Sequence, residues 1–230
     1  MLQNWLHIFL FQIKNNKLFT ALNVLGLSIG IAGLIFAILY WNDEHSYNAW
    51  NPEKEKVFDS ISKVSEDDYW ASNVAAFEPY FKKDFPELDT YCYFDNWYFE
   101  EIIQYQNKKE IVKITDAQKT FFEFFPFTFI KGTAKSALQD NASIAISDKT
   151  AERLFGSEEP IGKMVTYSGR KLVVRGVYTI PGKSSMAPNA VTCLMDGRLV
   201  ENKDNWGNFN YGLLLKLKNP ADKDKVSARM

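Results

Sequence analysis

Histidine and cysteine are nearly missing from this 230-residue chain, which has two of each. A hydrolytic site needs a base held against a nucleophile, and the only histidines, His7 and His45, both fall in the first fifty residues. Asp43, Glu44 and His45 stand together in DEHSYN. Neighbouring residues on a helix fan around it rather than converging on one ion, and no second cluster completes a ligand set, so the sequence predicts no metal and no cofactor. Paired acids such as Glu100 with Glu101 and Glu158 with Glu159 read as solvated surface. Cys92 and Cys193 would share an oxidising compartment, yet their distance in sequence dictates nothing: a disulfide and two buried thiols both stay open.

Charge of one sign is lacking as well. Of 27 Lys and Arg, only Lys14 and Lys17 precede residue 43, so the part beyond carries 25 basic against 28 acidic side chains. A nucleic-acid surface needs a concentrated basic face, and none is expected. From Leu18 to Trp41 there is no charge at all. A helix of that length extends about 36 Å, enough to cross a hydrocarbon core.

The run is too long for a signal-peptide core and leads into YWNDEHSY rather than a small-residue cleavage site, so it reads as an uncleaved transmembrane anchor over 18–41. Lys14 and Lys17 before it, with Asp43 and Glu44 after it, put the N-terminus in the cytoplasm and residues 47–230 outside. Residues 1–46 then form one membrane unit and 47–230 one exterior domain. Leu2, Trp5, Leu6, Phe9, Leu10 and Ile13 share a helical stripe, which suits an interfacial helix against membrane lipids. Inside the span Gly26, Ser28, Gly30 and Gly33 give a small-residue face, including GLSIG, of the kind that lets a second helix approach.

One stretch imitates a nucleotide site. FGSEEPIGKM holds Gly156, Gly162 and Lys163, but five residues separate the glycines where a phosphate loop has four, and Met164 replaces the hydroxyl that reaches Mg²⁺. Pro160 also removes an N–H from the cradle. Upstream, Ser147 or Asp148 begins a helix that Gly156 stops; downstream KMVTY reads as a strand. The stretch is therefore a helix-to-strand connector.

Elsewhere, VFDSISKV reads as a strand, and Val74, Phe77, Phe81 and Phe85 mark a helix ended by Pro86. TYCYFDNWYF is a strand, and EIIQYQNKKEIVKI a hairpin turning near Asn107 and Lys108. FFEFFPFTF reads as core packing. KLVVRGVYTI is a strand with a bulge at Gly176, YGLLLKLKN another strand, and PADKDKVSARM a helix start.

NKLFTALNVLGLSIGIA, DEHSYNAWNPEKEKVF, FFEFFPFTFIKGTAKSAL, ISDKTAERLFGSEEPIGK and LVVRGVYTIPGKSS, in this order, resemble the MacB/FtsX-type permease subunits of ABC transporters. The resemblance runs through nearly the whole chain. It implies an α+β fold: an interfacial helix and one transmembrane helix, then a periplasmic α/β core domain of two subdomains. Residues 54–115 and 201–230 would build a porter-like part, and the region from FFEFF to GVYTIPG a small inserted α/β subdomain.

It further implies a non-catalytic inner-membrane subunit that couples ATP hydrolysis on a separate ABC ATPase to periplasmic movement, for efflux or for lipoprotein or peptide export. The partners so implied are that ATPase, a second permease copy or homologous half, and a periplasmic adaptor. Family members carry three more membrane helices after the periplasmic domain, so the chain is expected to be a fragment. A singly anchored periplasmic binding or sensing module, or an FtsX-like regulator, is the alternative.

Overall fold

The computed structural model describes residues 2–95 and 99–230. The chain divides into two compact units, Met1–Tyr47 and Asn48–Met230.

The first unit is two helices, α1 (Leu2–Asn15) and α2 (Lys17–His45), parted at Asn16. The apolar stripe falls on α1, although the side chains of Leu2 and Leu6 lie outside the described residues. With 29 residues, none of them buried, α2 is long and apolar enough to cross a membrane. It outruns the uncharged stretch at its C-terminal end. There His45 stacks on Trp41 at 4.0 Å and places Nδ1 2.8 Å from the Trp41 carbonyl, which occupies the ring in closing the helix.

The second unit begins with β1 (Val57–Asp59), a small hairpin of β2 (Ser62–Lys63) and β3 (Tyr69–Trp70), α3 (Glu78–Asp84) and β4 (Leu88–Asp95). Next come β5 (Phe99–Tyr105), β6 (Lys108–Asp116), α4 (Phe121–Phe124), β7 (Thr128–Gly132), α5 (Ala134–Ala137), β8 (Ser143–Ser147) and α6 (Asp148–Phe155). The chain then forms β9 (Met164–Tyr167), β10 (Arg170–Thr179), β11 (Ala190–Thr192), α7 (Met195–Asn202), β12 (Tyr211–Leu217) and α8 (Lys223–Ser227).

β12 lies between β1 and β4 and is antiparallel to both, so β1 and β4 run parallel with a strand between them. Its alternation divides its neighbours. Tyr211, Leu213, Leu215 and Leu217 pack with Phe81 of α3, Met195 and Leu199 of α7 and Val226 of α8, whereas Leu214 points to the opposite core.

The larger sheet runs β7-β10-β8-β11-β6-β5-β9, and β9 pairs back onto β10. Six strands thus form a closed hydrogen-bonded circuit, with β7 added outside it. β10 manages this by changing partner midway: Arg170–Val173 pair with β9, and Gly176–Thr179 with β7. The switch falls at a bulge between Val174 and Gly176, which is the predicted irregularity.

This topology corrects one boundary. Residues 99–115 were expected in the porter-like part but belong to the larger sheet, because Ile103, Tyr105, Val112 and Ile114 pack with Ile144, Ile146, Leu172 and the α6 residues Leu154 and Phe155. A hairpin whose apolar face is already matched there has nothing left to bury against β4. Strands of the smaller sheet therefore come from 57–95 and 211–217, and those of the larger one from 99–192.

The phenylalanine cluster joins the two sheets. Phe121, Phe122, Phe124, Phe125 and Phe127 are all at most 4% exposed and pack with Phe94 of β4, Leu214 of β12, Ala145 of β8 and Tyr178 of β10. Cys92 and Cys193 belong to the same core as free thiols, and burial pushes each up to about 12. FGSEEPIGK is a connector: Ser147 caps α6 by accepting from the Thr150 N–H, Gly156 ends it at φ 61°, and β9 follows. Lys163, the would-be phosphate lysine, pairs with Glu158 at 3.8 Å.

Candidate functional site

The residues that follow α2 are tied onto the α/β unit at once. Asn48 has φ 53°, a left-handed conformation that asparagine tolerates better than most residues. Its N–H donates to the Lys183 carbonyl at 2.9 Å; its amide donates to Ser185 Oγ at 2.8 Å and accepts from Ser185 N–H at 3.0 Å. Trp50 donates its indole N–H to the same Lys183 carbonyl at 2.9 Å and packs on Phe127, ring centroids 5.5 Å apart. Its ring also lies so close to Gly182 that a Cβ there would approach to 3.2 Å.

Asn51, only 6% exposed, donates to the Phe124 carbonyl at 2.8 Å and accepts from the Glu53 N–H. Glu53 then meets Lys216 at 2.5 Å and Lys56 at 2.9 Å. The hydrogen bonds from these lysines, that of Lys216 foremost, hold its carboxyl well below the usual range, at about 2. Lys216 projects from near the C-terminal end of β12 with its side chain 8% exposed and reaches the Glu123 carbonyl at 3.4 Å. A buried lysine needs such partners.

Asn48, Trp50, Asn51 and Glu53, within six consecutive residues, therefore grip three places: the loop around Lys183 and Ser185, the phenylalanine cluster, and β12. Every bond is a fixed donor–acceptor pair, several to backbone carbonyls, with no group placed as base or nucleophile. The chemistry is that of a latch. Beside it lies a cleft of about 350 Å³ lined by Asn48, Asn51, Phe94, Met186, Gly212 and Leu214 among others. Asp59 borders it, and burial lifts its carboxyl above the ordinary value.

Gly26, Ser28, Gly30 and Gly33 lie along α2, all exposed; a Cβ at any of the three glycines would meet nothing within 4 Å. The latch residues were not singled out from the sequence. The tryptophan and asparagines of NAWN were a signal, and Lys216 at an inward position of YGLLLKLKN was another.

Trp50→Ala tests the latch. We expect amide exchange at Asn48 and Asn51 to quicken tenfold or more, equivalent to about 1.4 kcal/mol of local stability, while Ile144 in the larger sheet keeps its protection. Equal loss at Ile144 would mean global destabilisation and no latch.

These features define the class: a two-sheet α/β domain led by a long apolar helix. The chain belongs to the MacB-like periplasmic core domain family, which matches residues 20–230. Among solved structures, a domain described as belonging to a permease protein of Porphyromonas gingivalis superposes with a TM-score of 0.64 at 21% identity, covering 78% of this chain and 84% of that one. The extracellular domain of the noncanonic ABC-type transporter YknZ from Gram-positive bacteria gives 0.49 at 16% identity, covering 74% and 86%. The periplasmic region of MacB from Actinobacillus actinomycetemcomitans gives 0.49 at 17%, covering 74% and 78%. Comparison with curated proteins gives no match.

Proposed function

We propose that the chain serves in a permease subunit of an ABC transporter, of the efflux or the lipoprotein or peptide export type, with an ATPase on a separate chain. α2 is inserted in the inner membrane with its N-terminus in the cytoplasm, residues 47–230 lie in the periplasm, and α2 relays movement to them. The observation that carries this reading is the latch. A flexible linker after the helix would dissipate movement, whereas residues 48–53 are bonded to both sheets' shared core. The exposed Gly26, Ser28, Gly30 and Gly33 face supplies the surface for a second permease copy or homologous half.

Purification from native membranes tests it. The chain should bring down an ABC ATPase, and Gly30→Leu should weaken assembly by blocking close helix approach. Absence of any ATPase, together with normal assembly of the leucine variant, would defeat the proposal.

The cleft favours a second reading, a periplasmic binding or sensing module. Specific ligand binding that persists without any ATPase partner would select it.

A further inference from the structure

Arg198 of α7 lies between two carboxylates from different sheets. Its Nη1 is 2.5 Å from Asp95 Oδ1, at the end of β4, and 3.6 Å from Asp116 Oδ2, at the end of β6. The guanidinium also lies over the Tyr211 ring of β12, 5.5 Å from its centroid. Asp116 is 5% exposed and accepts from the Leu194 N–H at 2.5 Å and Thr192 Oγ1 at 3.1 Å. Immediately beyond it the sheets are stitched together: Ala117 bridges Phe94, Gln118 N–H donates to the Tyr93 carbonyl at 3.0 Å, and Tyr93 N–H to Gln118 Oε1 at 2.8 Å.

Two carboxylates share one guanidinium at this seam. With both ionised, one negative charge is in excess, and at Asp116, whose side chain is 6% exposed, burial penalises it. Facing groups from the surrounding elements are Tyr167 on β9, Tyr211 on β12, Glu101 on β5, Asp196 and Glu201 on α7, and Cys193 with Lys119 near it. Of the acids, Asp95 is the one whose charge raises Asp116, and burial holds both tyrosines above their ordinary range, hence neutral. Arg198 stays charged, its affinity for its proton raised by Asp95 against the opposing effect of burial.

We propose that Asp95, Asp116 and Arg198 form a proton-coupled joint between the two sheets: closed, it holds one more proton than when the sheets part and water reaches Asp116. This goes beyond the transport reading and does not depend on it.

The direction of the coupling follows from the carboxyl. Burial foremost, with the charge of Asp95 adding, lifts Asp116 to about 7 from the ordinary 3.8, against the lowering hydrogen bonds of Leu194 and Thr192 and the charge of Arg198. A raised acid binds its proton in the closed form. Closure is therefore favoured below the ordinary value, and that contribution is lost as pH rises through about 7.

The test is amide exchange of the full chain in lipid nanodiscs from pH 4 to 9, corrected for the intrinsic rate at each pH. Two amides report: Leu194, which donates to Asp116, and Gln118, which bridges to Tyr93. Protection of both should fall about tenfold per pH unit between roughly 5 and 7 and then level off, as release of one proton requires. Asp116→Asn, which keeps acceptors for Leu194 and Thr192, should flatten the dependence. Asp95→Asn should move the fall to lower pH by removing the neighbouring charge. An unchanged pH profile in Asp116→Asn would overturn the proposal. So would a response confined to Leu194, because the proton would then govern only the start of α7.

Discussion

Phe121→Ala lowers the stability of the two-sheet α/β domain by about 3–5 kcal/mol, the range for emptying a closed aromatic site. Phe121 is 0% exposed and touches three rings, with centroids 5.3 Å away at Phe122, 5.4 Å at Phe125 and 6.3 Å at Phe127. The neighbouring rings pack against both sheets, so they cannot collapse inward without pulling strands along. The loss therefore carries a cavity contribution as well as the lost transfer energy. Ile130→Ala, on a side chain 55% exposed, should change stability by no more than about 0.5 kcal/mol. Denaturant midpoints of the two variants in the same detergent decide the matter. A drop below about 1 kcal/mol for Phe121→Ala would mean that the cluster is loosely packed and does not unite the sheets.

The cluster's burial was legible because so many phenylalanines in one short stretch have few other stable outcomes in water. α6 was legible for a different reason: a capping serine, a glycine stop and the intervening apolar spacing all agreed. The β5–β6 hairpin was placed within a residue, its turn carrying Gln106 at φ 51°. Its sheet was not. Alternation tells which side of a strand is buried but not which core receives it, and the aromatic run before it continues chemically from β4 into β5.

The same gap explains the functional residues. Asn48 and Ser185 are 137 positions apart, and Asn51 and Phe124 are 73 apart. In sequence each asparagine is an ordinary polar residue until the fold brings its partner. Asp95 and Asp116 end two strands, and nothing local announced that Arg198 would lie between them. Short-range pattern thus located the long apolar helix and most elements, while the latch and the joint depend on contacts that only tertiary structure creates.

Gly132→Ala is the backbone counterpart of the phenylalanine change. Gly132 has φ 72° and pairs with Gly176 across β7 and β10, where a Cβ would come within 2.3 Å of the Arg175 carbonyl oxygen. Left-handed geometry alone costs an alanine about 1–2 kcal/mol, and the clash adds to it, because a peptide group inside a paired strand has nowhere to turn. At Gly176 the obstacle is different. A Cβ there meets Phe129 Cε1 at 2.6 Å, the edge of a ring that can rotate. Gly132→Ala should accordingly destabilise by at least about 2 kcal/mol, and more than Gly176→Ala. Because β7 lies outside the closed circuit, its amides should lose protection first while those of β8 persist. Equal losses in β7 and β8 would show that β7 and the circuit open as a single unit; protection retained in both would show that alanine fits where the backbone leaves no room.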